Sequence, residues 1–264
     1  MVQPQRFVMT PLIQSALSIS NGLLTEVNAL IGSMRAPTNA PGRPQTALFM
    51  TIAEQFESVV RLALAGLITH SAVHVRSMSE AVADLHLLGT DQDHVDRMRY
   101  NQAVGEKRFY DHLLESDGLP ESVRQLIEER MPGCLERYTP LHAKFKSAKQ
   151  SQAQAFIAAD MEYMLPFYTM LCGFSHNDLS ALGLRHQGER AMTHRAETPD
   201  EVAFVILQLA VTALMQATSN IGGIAKFRDG EFDRRFTAMN DLFGKLLDSR
   251  PIKTDDLLEQ KRCP

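Results

Sequence analysis

Two short polar clusters interrupt apolar, helix-patterned stretches, and both carry side chains that handle protons or anions. The first is Arg76-Ser77-Met78-Ser79-Glu80. Arg76 and Glu80 stand four residues apart, so on a helix they share a face and pair. Val73, Val75 and Met78 around them are apolar, and a partly buried guanidinium needs a carboxylate such as Glu80. Such a pair is either a structural brace or an arginine aimed at an anion such as phosphate. The second cluster, Phe174-Ser175-His176-Asn177-Asp178, closes a very apolar segment. A histidine at a helix end is a common general acid or base. The plainer alternative is that His176 and Asn177 cap the helix C-terminus.

Other patterns carry less. His70 and His74 are spaced to share a metal on one helix face. No HExxH accompanies them, and Glu54 and Glu57 do not complete a di-iron pattern, so no metal or other cofactor is expected. Asp91, Asp93 and Asp96 lack the glycine and terminal glutamate of an EF-hand. Arg137 and His142 fit the Arg-x4–6-His spacing of HEPN ribonucleases, but Pro140 falls between them and so short a pattern recurs by chance. Cys172, in an apolar helix one turn before His176, reads as an inert thiol more readily than as a nucleophile. Three cysteines without a CxxC pattern make neither a disulfide framework nor a thiolate zinc site. Walker, GxGxxG, GxSxG, kinase and deaminase signatures are all missing.

The two clusters together resemble a widespread bacterial family of uncharacterised helical proteins with an R-S-x-x-E helix and a Y-x-x-L-S-x-x-x-H helix about 90 residues later. Here the motifs are Arg76-Ser77-Met78-Ser79-Glu80 and Tyr168-Thr169-Met170-Leu171-Cys172-Gly173-Phe174-Ser175-His176. Cys172 stands where the family usually has serine, which removes a hydroxyl at that position. The resemblance spans about residues 46–224. It implies an all-helical core that brings Arg76, Glu80, Tyr168 and His176 together, an arrangement similar to HEPN-type bundles. Many of those are ribonucleases of toxin and phage-defence systems; this last step is analogy at the level of fold. It yields a metal-independent, HEPN-like ribonuclease of defence or stress response. His176 is then the general base or acid, Arg76 stabilises the phosphorane, Glu80 holds Arg76, and Tyr168 orients the phosphate or stacks on a base. Ser77, Ser175, Asn177, Lys144 and Lys146 are the expected substrate contacts, the lysines because Lys144, Lys146 and Lys149 form the one obvious basic cluster. The alternative is a non-enzymatic interaction or regulatory module in which Arg76, Glu80 and His176 form a buried structural network.

The elements that must position these groups are helices almost throughout. The expected fold is all-α, a bundle of about six to eight helices. Segments are read at about 10–32, opened by Thr10 and Pro11, then 46–65, 70–88, 91–115, 121–130, 151–172, 199–219 and 229–247. Residues 131–133 are expected to break the chain, Pro166 to kink or restart a helix, and residues 183–198 to be loop. Thr198 is expected to cap the helix that follows. The corresponding organisation is an N-terminal helix (1–34), a Pro-rich linker (35–45), a bundle (46–248) and a loose charged tail (249–264). The N-terminal helix packs on its own chain or on a second copy, and a homodimer is the expected assembly.

Composition sets the outer bounds. The chain has 264 residues, 44% of them hydrophobic, and a net charge of −4. That fits a globular protein able to bury its own core and disfavours a duplex-DNA binder, whose phosphate contacts need a basic excess. RNA is the expected nucleic-acid partner. Residues 1–7 do not read as a secretory signal, and the richest apolar run, 202–215, is too short to span a bilayer, so a cytoplasmic location is expected.

Overall fold

The computed structural model describes residues 9–146, 150–176, 178–187 and 191–250. Helix α1 (Pro11–Ser33) begins as its cap predicts. The Thr10 hydroxyl accepts from the Ile13 amide at 3.4 Å, and Pro11 takes the first position, where no amide proton is needed. There follow α2 (Gly42–Leu64), a 3-10 turn (Ile68–Ser71), α3 (Ala72–Thr90), α4 (His94–Leu114) and α5 (Glu121–Phe145). Then come α6 (Gln152–Ala158), a second 3-10 turn (Glu162–Met164), α7 (Leu165–His176), α8 (Leu179–His186), α9 (Asp200–Ile221) and α10 (Glu231–Asp248).

The chain is all-helical among the described residues, with two isolated β-bridges, Arg35 to Lys226 and Gln187 to Met192. Among the described residues, ten α-helices are two more than the expected range allows. The stretch 151–172 divides into α6 and α7, with Pro166 in the first turn of α7, where its missing amide costs nothing. The other extra helix, α8, lies partly in the segment read as loop. Asp178 starts it, accepting from the Ala181 amide at 2.8 Å. Thr198 does not cap α9; Pro199 holds that position, with Asp200 and Glu201 in the first turn.

The break expected at 131–133 does not occur. Helix α5 runs through both Pro132 and Pro140 for 25 residues. Both prolines are exposed, so the carbonyls they leave unpaired face water. The opposite side of the helix is fixed on α4 through a small cluster of Tyr110, Ile127 and Cys134. Helices α4 and α5 thus form an antiparallel arm with its own apolar seam.

The main core is built on α9, which packs against α1, α2 and α3, while α10 lies along α1 and α7 lies on α3. Helix α1 joins this core through Leu17, Leu23, Val27 and Leu30, each at most 2% exposed. By length and composition α9 could cross a bilayer, but 67% of its most apolar window is buried against the other helices. Phe204 (1% exposed) sits at the centre of this packing. Phe204→Ala is expected to cost about 3–5 kcal/mol in denaturant unfolding. A loss under about 1 kcal/mol would remove α9 from the centre of the core.

Candidate functional site

Helix α3 places Arg76 and Glu80 one turn apart on one face, and α7 carries Tyr168 and His176 two turns apart. The packing of α7 on α3 brings all four together. Arg76 Nε donates to Glu80 Oε1 at 3.2 Å and to the Tyr168 hydroxyl at 3.2 Å. The Tyr168 hydroxyl donates in turn to Glu80 Oε1 at 2.5 Å. Arg76 Nη1 lies 3.5 Å from His176 Nε2. A guanidinium has no acceptor, so in this contact Nε2 accepts and the imidazole proton sits on Nδ1. The Arg76 guanidinium also lies over the Tyr168 ring, 5.3 Å from its centroid, and Phe156 meets that ring edge-on at 5.0 Å.

The exposures separate two roles. The Arg76 and Glu80 side chains are 27% and 34% exposed, and His176 is exposed at the end of α7. The Nε side of Arg76 is therefore tied down by Glu80 and Tyr168, while its Nη1 edge points to the solvent-facing His176. Burial, reinforced by the hydrogen bond to Glu80, pushes the Tyr168 hydroxyl up to about 12. The hydrogen bond to Tyr168 raises Arg76 above the ordinary guanidinium value, with Glu80 adding to it. At neutral pH Tyr168 is a donor and Arg76 a fixed cation.

Because the folded state holds the Tyr168 proton more tightly than the unfolded chain, the associated stability is complete below pH 10. It is lost as pH rises towards about 12. Ultraviolet titration of tyrosinate should show a late component near pH 12 that disappears in Tyr168→Phe. An unchanged titration in that variant would contradict the hydrogen-bonded position of the hydroxyl.

Arg185 is the residue that the sequence did not reveal. Its Nη2 donates to the Thr69 carbonyl at 3.0 Å and to the Phe174 carbonyl at 3.2 Å, and Nε donates to Thr69 Oγ1 at 3.3 Å. It is 9% exposed, and burial lowers its pKa. Arg185 thereby ties the last turn of α7, which carries His176, to the turn preceding α3. The available signal was an arginine among Ala181 and Leu184 at helical spacing, hidden because residues 183–198 read as loop. Gly173 leaves room for the start of α8: a Cβ there would lie 2.3 Å from Asp178 Oδ2, the carboxylate that caps α8.

Several expected substrate contacts are engaged elsewhere. Ser77 Oγ accepts from Gln55 Nε2 at 3.0 Å, and Ser175 Oγ donates to the Leu171 carbonyl at 2.9 Å. Asn177 and Lys149 lie outside the described residues. Lys144 is at the far end of α5, paired with Asp93 at 2.8 Å and Asp96 at 3.3 Å; Lys146 is exposed beside it. Cys172 is half-buried on α7, midway between Tyr168 and His176.

Arg137 and His142 do share a helix despite Pro140, but Arg137 is paired with Glu106 at 2.8 Å and His142 Nδ1 meets the hydroxyls of Tyr100 and Tyr138 at 2.9 Å. His70 lies in the 3-10 turn and His74 in α3. Burial, then the positive Arg185, lower the His70 pKa. Among the described residues, His, Cys, Asp and Glu side chains form no group of three that could hold a metal.

Residues 44–192, more than half of the chain and including both motif helices, match the model of DUF5677, a family of unknown function. No curated protein and no solved structure matches the chain.

Proposed function

The chain belongs to DUF5677, a family of unknown function, and from that premise we propose that it is a metal-independent, HEPN-like ribonuclease whose site is Arg76, Glu80, Tyr168 and His176. The observation that carries the reading is the contact between a fixed guanidinium and an exposed imidazole, Arg76 Nη1 to His176 Nε2 at 3.5 Å.

An RNA phosphate seated on the Nη edge of Arg76 lies beside Nε2 of His176. That nitrogen takes the proton of the adjacent 2′-hydroxyl as the 2′-oxygen attacks phosphorus. The phosphorus–5′-oxygen bond breaks, and the 5′-oxygen leaves with a proton drawn from solvent. The products are a 2′,3′-cyclic phosphate and a 5′-hydroxyl end. Arg76 carries the charge that builds on the phosphorane oxygens. Glu80 and Tyr168 are positioning residues: they fix the Nε side so that the Nη edge needs no reorganisation. The hydrogen bonds of Tyr168 to Glu80 and Arg76 support a role in holding Arg76 rather than in orienting the phosphate. The biological setting in this reading is cytoplasmic RNA turnover in defence or stress.

A second reading, a structural brace in a non-enzymatic interaction module, is favoured by how fully Arg76, Glu80 and Tyr168 satisfy one another. The two separate on one experiment. RNA cleavage that persists in chelator and is lost in His176→Ala at unchanged melting temperature supports the ribonuclease. Absence of cleavage, with early melting of the same variant, supports the brace.

A further inference from the structure

One turn beyond Glu80 on α3 stands Asp84, about 6 Å further along the helix axis. Two carboxylates at this spacing repel each other unless each has its own partner. Glu80 has Arg76 and Tyr168; Asp84 has His94, whose Nε2 lies 2.9 Å from Asp84 Oδ1. These two residues line a cavity of about 100 Å³ together with Arg97, Tyr100, Asn101 and Gln152, with room for several waters or one small ring.

The chemistry of the walls is specific. The His94 side chain is 4% exposed. An ionised carboxylate only accepts, so Nε2 carries the proton shared with Asp84. The other ring nitrogen, Nδ1, is buried too deeply for a molecule in the cavity to reach it; the acceptor that the cavity presents is the Asp84 carboxylate, whose side chain is 37% exposed. A carboxylate held at one oxygen by a buried imidazole keeps its other oxygen for an N–H or O–H donor. Asn101 is exposed and Gln152 half-buried; each adds an amide that donates and accepts. Tyr100 supplies an aromatic wall, and Arg97 is held over the Phe145 ring at 5.0 Å from its centroid. The cavity adjoins the four-residue site: Ala155 lines it, and the next residue, Phe156, packs against Tyr168.

We propose that this cavity is a base-recognition pocket, which takes an unpaired nucleobase of the RNA whose phosphate lies at Arg76. The proposal rests on the ribonuclease reading. A nucleobase presents N–H donors to Asp84 and mixed donors and acceptors to the two amides, and its flat face fits against Tyr100. Single-stranded RNA is read in this manner, by stacking and by hydrogen bonds along base edges. The exposed Lys146, next to Phe145 at the end of α5, is then placed for the backbone that leaves the pocket.

Calorimetric binding of AMP, GMP, CMP and UMP to the full chain, with ribose 5-phosphate as the probe lacking a base, tests this. Wild type, His176→Ala and the double variant Asn101→Ala/Gln152→Ala are each measured in EDTA. Far-ultraviolet circular dichroism checks that every variant is folded. At least one nucleotide is expected to bind about tenfold or more tightly than ribose 5-phosphate. His176→Ala should keep that margin and the double variant should lose it. Equal binding of all five probes, or a margin untouched in the double variant, overturns the pocket. RNA cleavage without base-selective binding sinks the pocket alone. Base-selective binding by a chain that cleaves no RNA sinks the ribonuclease reading and, with it, the assignment of the occupant as RNA.

Discussion

His176→Ala is expected to slow RNA cleavage by about 10²–10⁴-fold, the usual contribution of a positioned general base, with the melting temperature almost unchanged. The expectation follows from where the ring sits. His176 is exposed in the last turn of α7, and its one hydrogen-bond contact among the described residues is with Arg76 at 3.5 Å. Removing it opens no cavity and orphans no buried partner, so its stability cost is at most the ~0.3–1 kcal/mol of a favourable group at a helix C-terminus. His176→Gln should not restore activity, because an amide can accept a hydrogen bond but cannot take up a proton. The check is a time course on a labelled single-stranded RNA beside melting curves of the same samples. A variant that cleaves as fast as wild type would remove His176 from the reaction.

Arg76→Ala is expected to cost about 10²–10³-fold in cleavage, the scale of losing one group that stabilises transition-state charge. Here stability falls as well. Among the described residues Glu80 keeps only its hydrogen bond from Tyr168, and the Tyr168 ring loses the guanidinium 5.3 Å from its centroid. Since the Arg76 and Glu80 side chains are 27% and 34% exposed, water replaces part of what is lost, and a loss of about 1–2 kcal/mol is expected. A fully buried pair would lose ~3–5 kcal/mol; a loss of that size with no effect on RNA would favour the brace. Arg76→Lys separates charge from geometry. A lysine keeps the cation but cannot be held at Nε while presenting a second edge to a phosphate, so it should recover stability before activity. The measurement is a denaturant melt paired with cleavage rates for both variants.

Much of the fold was legible because helical periodicity and caps are local signals. Thr10-Pro11 opens α1, Gly89-Thr90 closes α3, and the apolar run after Pro199 is the buried α9. The errors came where distant contacts override local preference. Pro132 and Pro140 looked like breaks, yet α5 continues because its opposite face is held on α4 by Ile127 and Cys134. The segment 183–198 looked like loop, yet α8 forms over its start because Asp178 caps it and Arg185 anchors it to Thr69.

The candidate site divides in the same way. The i, i+4 spacing of Arg76 and Glu80 already placed them on one face. Tyr168 and His176 lie on another helix, 92 and 100 residues from Arg76, and only the resemblance to a family linked them. Spacing could not show that Ser175 turns back on its own helix, that Lys144 is spent on Asp93 and Asp96, or that Asp84 and His94 meet across ten residues.

The central claim is that Arg76 and His176 act together on an RNA phosphate without a metal. The most direct test incubates the purified wild-type chain with single-stranded RNA in EDTA and determines the chemistry of the new ends. The account predicts cleavage that leaves 2′,3′-cyclic phosphate and 5′-hydroxyl ends, and none from Arg76→Ala or His176→Ala at matched fold. Intact RNA, or cleavage leaving 5′-phosphate and 3′-hydroxyl ends, would contradict it.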